Sequence, residues 1–226
     1  MEELSKQPLD AFLESVAEAT PAPGGGSSAA VAAALAAALV EMAARLAGSD
    51  AAPSHGAADT PPSNRAADAL PSSRAADAQP SHRAVDAPAS NRAADHAGAL
   101  RARALRLAEE ELSSYAPVLE ARDEHERELA LAAASEPPAH IAETAAEVAE
   151  LGVEVAASSS PSVRGDALTG VVLAEAAASA AFRLVEINVG AGPVFERARD
   201  AELRAVKARA SGTGRPPPPP HAPTPR

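Results

Sequence analysis

The stretch Thr20-Pro21-Ala22-Pro23-Gly24-Gly25-Gly26-Ser27-Ser28 joins two predicted helices, and the interpretation of the chain starts from it. Two prolines stiffen the approach, and three consecutive glycines leave the backbone N–H groups open to a ligand. Ser27 or Ser28 is a suitable N-cap for the helix that follows. A glycine-rich loop at the positive end of a helix can bind an anion or an oxyanion, and a plain linker can have the same sequence.

Two nucleotide-binding motifs are excluded for this loop. No Gly-Lys-Ser/Thr follows the glycines, so the loop is not a phosphate-binding loop of the NTPase type. No strand is predicted before it, so it is not the turn of a dinucleotide-binding fold.

The segment from Ala29 to Leu46 is predicted to form one long helix that ends near Gly48. Most of its residues are alanines, so neighbouring helices can approach it closely. Its larger apolar side chains recur every three or four residues and form a single apolar face. These side chains are Val31, Leu35, Leu39, Met42 and Leu46.

The composition favours a helical protein. Hydrophobic residues make up 46% of the 226 residues and aromatic residues only 2%, so the core has to be built from Ala, Leu and Val. Such a core suits close-packed helices better than a β-sandwich. We therefore predict an all-α fold, a single orthogonal or up-down bundle of about five to six helices.

Charge and cysteine content limit the partners and the compartment. The net charge of −11 argues against a nucleic-acid partner. The acidic start Met1-Glu2-Glu3 is unlike a signal peptide, and the apolar run 29–40 is too short and too alanine-rich to span a membrane. The sequence has no cysteine, which fits a reducing cytoplasm.

Five further helices are predicted from apolar periodicity. The last long helix is apolar on every side and is expected to be central, with Asp166 capping its N-terminus in contact with solvent. The helices cover Ser5–Ala19, Gly98–Ala134 with a break at Pro117, Pro138–Ala157, Asp166–Val189 and Pro193–Arg209.

A stripe of glutamates on the predicted Pro138–Ala157 helix raises the question of a metal site. Its members are Glu143, Glu147, Glu150 and Glu154. A carboxylate-bridged dimetal site requires histidines at Glu-x-x-His spacing, which this helix does not have. We expect a solvated face and no metal.

A nine-residue unit occurs five times, starting at Ser54, Ser63, Ser72, Ser81 and Ser90. Each unit has at most one large apolar residue, so stacked units would bury little surface and a solenoid is rejected. We predict a disordered low-complexity insertion over residues 50–97, inside a helical domain that spans residues 1–210. Residues 211–226 are predicted to be a disordered proline-rich tail.

Several segments resemble the cyclodeaminase/cyclohydrolase family of folate enzymes. In the N-terminal half these are Leu9–Leu13 and Pro21–Ser27, followed by the alanine-rich helix. In the C-terminal half they are Ser160–Ala167, Leu173–Ala177 and Arg183–Val189. The resemblance covers roughly residues 4–48 and 98–190.

Four positions depart from the family pattern. The asparagines of the family's second loop are Ser160 and Ser162 in this chain, and the serine before Asp166 is Gly165. Glu111 stands where the family often has Asp, four residues before an aromatic residue.

The resemblance implies a site for a tetrahydrofolate derivative, with no metal or cofactor. Asp166 is the expected general acid/base. Arg164 and Asn188 are weaker candidates for orienting the ligand. The substrate-binding residues implied at the first loop are Pro23, Gly24, Gly25, Gly26 and Ser27. Family membership also implies a homodimer with the site near the subunit interface.

Two reactions and two non-catalytic roles remain open. The first expectation is a cyclohydrolase, which hydrolyses 5,10-methenyltetrahydrofolate to 10-formyltetrahydrofolate, because no formimidoyltransferase domain accompanies the sequence. The alternative reaction is a formimidoyltetrahydrofolate cyclodeaminase, an ammonia lyase. A folate-binding relative without activity and a purely structural helical bundle are the non-catalytic alternatives.

Overall fold

The computed structural model describes residues 4–20, 22–50 and 87–214, and these residues form helices and their connections without a strand. The predicted all-α fold is confirmed. A short 3₁₀ helix, Leu4–Lys6, precedes eight α-helices in the described part of the chain. They are α1 (Leu9–Ala17), α2 (Gly25–Asp50), α3 (Ala87–Ser114), α4 (Ala116–Glu120), α5 (Glu124–Ala134), α6 (Glu136–Ser158), α7 (Pro161–Val189) and α8 (Pro193–Thr213).

Five long helices form the bundle. α2 packs between α3 and α7, while α6 contacts α2, α3, α7 and α8. Most of the buried residues are alanines, with a few larger side chains such as Val40, Ile141 and Phe182 among them. The core therefore depends on short distances between helices rather than on large interlocking side chains.

The closest approach joins α2, α6 and α7. A Cβ atom on Gly170 of α7 would lie 2.9 Å from Val40 Cγ2 and 3.0 Å from the carbonyl oxygen of Ala36, both on α2. A Cβ atom on Gly152 of α6 would lie 2.7 Å from Val171 Cγ2 and 3.1 Å from Val40 Cγ2. A larger residue at either position would require a neighbouring valine side chain or, at Gly170, the backbone of α2 to move.

In α2, the face with the small residues is buried, and the face with the larger apolar residues points outward. Its buried face consists largely of alanines, among them Ala30, Ala33 and Ala37. The larger apolar side chains point outward, and Leu35, Met42 and Leu46 are 55%, 39% and 43% exposed. The predicted apolar face exists, but it is not the face that enters the core of the subunit.

The predicted starts of α2 and α7 are too late. α2 begins at Gly25, and the Ser28 N–H donates the first helical hydrogen bond to the Gly24 carbonyl (3.1 Å). The predicted N-cap at Ser27 or Ser28 is therefore wrong. α7 begins at Pro161, because proline is well suited to the first helical position. Asp166 consequently lies in the second turn of α7 and does not cap it.

The predicted insertion over residues 50–97 reaches too far. α3 begins at Ala87, so the fifth repeat unit is helical, and its Ser90 and Ala94 are buried. A Cβ atom on Gly48 near the end of α2 would lie 3.1 Å from Ser90 Cβ, so the end of α2 and the start of α3 are adjacent. Residues 51–86 and 215–226, which include most of the predicted insertion and tail, lie outside the described residues.

The remaining boundaries agree more closely with the prediction. The predicted break at Pro117 is confirmed, since the Gly98–Ala134 segment is divided among α3, α4 and α5. α7 ends at Val189 as predicted, where Gly190 adopts a left-handed conformation with φ of 63°.

The glutamate stripe of α6 is paired with arginines rather than simply solvated. Arg197 Nε donates to Glu143 Oε1 (2.9 Å), and Arg103 Nη1 donates to Glu147 Oε1 (3.3 Å). The Arg204 guanidinium donates two hydrogen bonds to Glu150 and lowers the pKa of that carboxyl. These half-exposed pairs join α6 to α3 and α8, although each one contributes little to stability.

α2 and α7 are long and apolar enough, by length and composition, to cross a membrane. The sequence argument against a membrane span rested on the short apolar run 29–40, which Glu41 and Arg45 interrupt, whereas α2 has 26 residues. Both helices pack against other helices in the centre of the bundle. Core helices of a soluble protein have the same composition, so these two helices by themselves indicate no membrane.

The contact at Gly170 predicts a stability difference between two glycine substitutions on one helix. Gly170→Ala should destabilise the protein by about 1–3 kcal/mol, because the added methyl group pushes α7 away from α2. Gly165→Ala is the matched control: nothing lies within 4 Å of its Cβ position, and alanine should stabilise the helix by about 0.5–1 kcal/mol. Urea denaturation of both variants measures the difference. Equal stabilities would contradict the close approach.

Candidate functional site

The first turn of α2 forms one wall of the candidate site. The N–H groups of Gly25, Gly26 and Ser27 precede the first helical hydrogen bond, so the helix itself provides no acceptor for them. Gly24 and Pro23 lead into this turn, and the Ala22–Pro23 peptide bond is cis. Gly25 is exposed, whereas Gly26 is buried. An anionic or partly negative ligand atom could approach the N-terminus of α2 at Gly25.

Ser27 is placed differently from the prediction. The residue is 0% exposed, and its Oγ has no hydrogen-bond partner among the described residues. Leaving a buried hydroxyl unpaired costs about 1–3 kcal/mol. The Ser27 side chain therefore cannot contact a ligand in this conformation, although its backbone belongs to the open first turn.

Glu111, near the end of α3, lies directly against Gly26. A Cβ atom on Gly26 would overlap the carboxyl group and Cγ of Glu111, so the absence of a side chain at position 26 makes room for this glutamate. The described hydrogen bond to its carboxylate comes from Ser114 Oγ (3.2 Å to Oε2). Glu111 was not among the predicted site residues. The only signal in the sequence was its position four residues before Tyr115.

Burial raises the pKa of Glu111 to about 7, from an ordinary value of 4.5. The hydrogen bond from Ser114 favours the ionised form and opposes this increase. The carboxyl group is therefore divided between its protonated and ionised forms near neutral pH. A group with such a pKa can both accept and donate a proton.

The C-terminal part of α7 lies beside the same turn. A Cβ atom on Gly25 would lie 3.7 Å from Leu184 Cδ2. Asn188 follows Leu184 by one helical turn and shares its face. Of the residues predicted from the second half of the sequence, Asn188 is thus the one that belongs near the glycine turn.

Asp166 and Arg164 lie toward the other end of α7. Leu184 is 18 positions after Asp166, which corresponds to about 27 Å along a helix. Gly170, one turn after Asp166, contacts the middle of α2 rather than its start. A single subunit therefore does not bring the predicted catalytic Asp166 to the glycine turn, and its catalytic role stays a prediction.

Potential metal ligands are dispersed. Within residues 4–20, 22–50 and 87–214, no group of three or more His, Asp or Glu side chains is arranged to hold a metal ion. Three of the α6 glutamates, Glu143, Glu147 and Glu150, are instead held by the arginines described above.

Comparison with known proteins identifies the family and the fold. A family model described as formiminotransferase-cyclodeaminase matches residues 8–58 and 77–204. The crystal structure of formiminotetrahydrofolate cyclodeaminase from Thermotoga maritima is similar in fold, with a TM-score of 0.73 and 20% sequence identity. The match covers 94% of this chain and 97% of the Thermotoga chain. No curated protein is significantly similar in sequence.

The raised pKa of Glu111 predicts a pH-dependent effect of Glu111→Gln on stability. A glutamate with a raised pKa stabilises the folded protein fully below pH 4.5, and this contribution is lost as the pH rises through about 7. Glutamine does not ionise, so Glu111→Gln should melt a few degrees above the parent at pH 8 and close to it at pH 4.5. Differential scanning fluorimetry over this pH range measures the difference.

Glu110→Gln is the control for this measurement, because Glu110 is an exposed neighbour on the same helix. Its melting temperature relative to the parent should not acquire the same pH dependence. Parallel curves for the parent and Glu111→Gln would contradict the raised pKa.

Proposed function

The chain belongs to the formiminotransferase-cyclodeaminase family, and from this membership we propose that it acts on a one-carbon derivative of tetrahydrofolate. The family match is the observation that carries the proposal. The glycine turn supports it, because N–H groups that lack a helical acceptor can donate hydrogen bonds to the acceptor atoms of a pterin ring.

The first proposed reaction is hydrolysis of 5,10-methenyltetrahydrofolate to 10-formyltetrahydrofolate. Water adds to the amidinium carbon, and one carbon–nitrogen bond of the resulting tetrahedral centre breaks. Both steps require proton transfer, which a positioned carboxyl group can provide without a metal or cofactor. The residues proposed to bind the folate are Pro23, Gly24, Gly25, Gly26, Ser27 and Asn188, with Arg164 a weaker candidate.

The second candidate is cyclodeamination of 5-formimidoyltetrahydrofolate with release of ammonia. The description of the matching family and that of the Thermotoga protein both name a cyclodeaminase. The two reactions share a tetrahedral carbon and a need for a proton shuttle, so the same site could serve either of them.

Two assays test this proposal. Loss of 5,10-methenyltetrahydrofolate absorbance above the buffer rate measures hydrolysis, and ammonia release from 5-formimidoyltetrahydrofolate measures cyclodeamination. We expect activity in at least one assay. Inactivity in both, combined with tight folate binding, would support a binding protein, and inactivity without binding would leave a structural bundle.

We also propose a homodimer that uses the outward face of α2. On this face Leu35, Met42 and Leu46 are exposed, whereas Val31 and Leu39 are partly covered by the subunit. Contiguous exposed apolar surface of this kind marks an interaction site. A second copy is the proposed occupant, since the stripe lies on the helix whose first turn forms the candidate site.

The outward face predicts the result of a charge substitution. Leu35→Glu should convert the dimer to a monomer, because a carboxylate cannot be buried without a partner. Leu203→Glu is the matched control, since this leucine is 57% exposed on α8 and away from α2. Light scattering at micromolar concentration measures the mass. A monomeric parent protein would refute the dimer.

Asp166 can act at the glycine turn only if a second copy brings it there, and subunit mixing tests this. If a second copy does so, Asp166→Asn and Gly26→Ala should each be inactive. A dimer with one subunit of each kind would retain one intact site, so random exchange should restore about a quarter of the parent activity. No restoration would mean that the two residues do not act at a shared site between subunits.

A further inference from the structure

We propose that Glu111 is a catalytic residue of this site, the proton-transfer group that serves the first turn of α2. This inference rests on the proposed function. It assigns the proton transfer to a carboxyl group that a single subunit places against the glycine turn.

The position of Glu111 is the first argument. Its carboxyl group occupies the space beside Gly26 that any side chain at position 26 would fill. Within a single subunit Glu111 therefore contacts the turn, whereas Asp166 lies about 27 Å away along α7. A proton-transfer group has to be within hydrogen-bond reach of the reacting atoms, directly or through one water molecule.

The surroundings of Glu111 provide the second argument. The first turn of α2 carries no ionisable side chain between Gly25 and Ser28, and the shift of the Glu111 pKa arises from burial and from the Ser114 hydroxyl. Glu111 is also half-buried rather than enclosed. It can thus exchange a proton with a bound molecule, and within residues 4–20, 22–50 and 87–214 no arginine or lysine forms an ion pair with it.

The unpaired Ser27 hydroxyl is an independent sign that this turn is built for a ligand. Ser27 is completely buried next to Gly26, and its Oγ has no partner in the described part of the chain. Alanine at this position would avoid the cost of an unpaired hydroxyl. Because this hydroxyl is enclosed, a bound molecule pairs with it only after the Ser27 or Glu111 side chain changes rotamer, and the unsatisfied hydroxyl is then a further hydrogen-bonding group at the turn.

The Glu111 carboxyl group can carry out both proton transfers of the hydrolysis. The ionised carboxylate takes a proton from water as the water oxygen bonds to the amidinium carbon, which gives a neutral tetrahedral intermediate. The protonated carboxyl group then gives this proton to N5 as the C–N5 bond breaks. The remaining hydroxyl proton leaves to solvent as the formyl C=O forms, so one proton is released per turnover.

The test compares Glu111→Gln with Glu110→Gln in the full-length protein. Glutamine preserves the size of the side chain but cannot transfer a proton, so kcat should fall by about 10²- to 10⁴-fold. Glu110 is exposed and should tolerate the change within about twofold. Circular dichroism confirms folding of both variants. A folded Glu111→Gln that loses less than about tenfold would overturn the proposal.

Ser114→Ala adds a readout that a merely structural glutamate would not give. Removal of the Ser114 hydroxyl removes a hydrogen bond that lowers the Glu111 pKa. The limb of the pH–rate profile that reports ionisation of Glu111 should therefore move to higher pH. An unchanged limb in an active variant would show that another group controls the rate.

A measurement that does not depend on turnover separates the two proposals. Carbon-13 NMR of the Glu111 carboxyl group is recorded over a pH series, with and without the stable folate 5-formyltetrahydrofolate. We expect bound folate to shift the Glu111 titration. Folate binding without such a shift would overturn the role of Glu111 alone, whereas absence of both binding and activity would overturn the proposed function and this inference together.

Discussion

The structure depends on how closely α2, α6 and α7 approach one another. Gly152, Gly170 and a face of alanines bring these helices together around Val40, which leaves no room for larger side chains between them. The stabilisation then comes from many backbone-level contacts rather than from a few large residues. This constraint decides which face of α2 can be inside, and it forces the leucines and methionine of that helix to the outside of the subunit.

The same constraint determines the geometry at the N-terminus of α2. Because packing along the alanine face holds the helix in one position, its first turn meets α3 at a defined point, and Gly26 receives the side chain of Glu111 there. A half-buried carboxyl group is tolerated at this point since it can keep its proton near neutral pH. The small residues of α2 thus determine both the packing of the helices and the position of the Glu111 carboxyl group.

Apolar periodicity predicted the existence and order of the long helices, and Pro117 marked a break that the structure confirms. The prediction from periodicity failed for α2, in which the buried residues are the small ones. A prediction from apolar periodicity places the larger side chains inside the bundle. An alanine core instead requires them outside, as Leu35 and Met42 show. The start of α7 was missed because a run of serines around Pro161 reads as a loop.

The glycine turn was predicted from local sequence, but its partners were not. Glu111 is separated from Gly26 by 85 positions, so only the packing of α3 on α2 reveals their contact. The expected link between Asp166 and the turn came from resemblance alone, and helix length makes it impossible within one subunit. A local sequence pattern can predict a binding turn, whereas a residue that is distant in sequence and completes the site is found only from the tertiary structure.

The contact between Gly48 and Ser90 has a consequence for the evolution of the chain. It holds the end of α2 beside the start of α3. The connection between the two helices therefore begins and ends at the same two points, whatever its length. The family match leaves out residues 59–76, a length equal to two nine-residue units. The closure entropy of a loop rises slowly with its length, by about 0.6 kcal/mol for each doubling. Whole repeat units can therefore be gained or lost here with the reading frame preserved and at little cost to the helical framework.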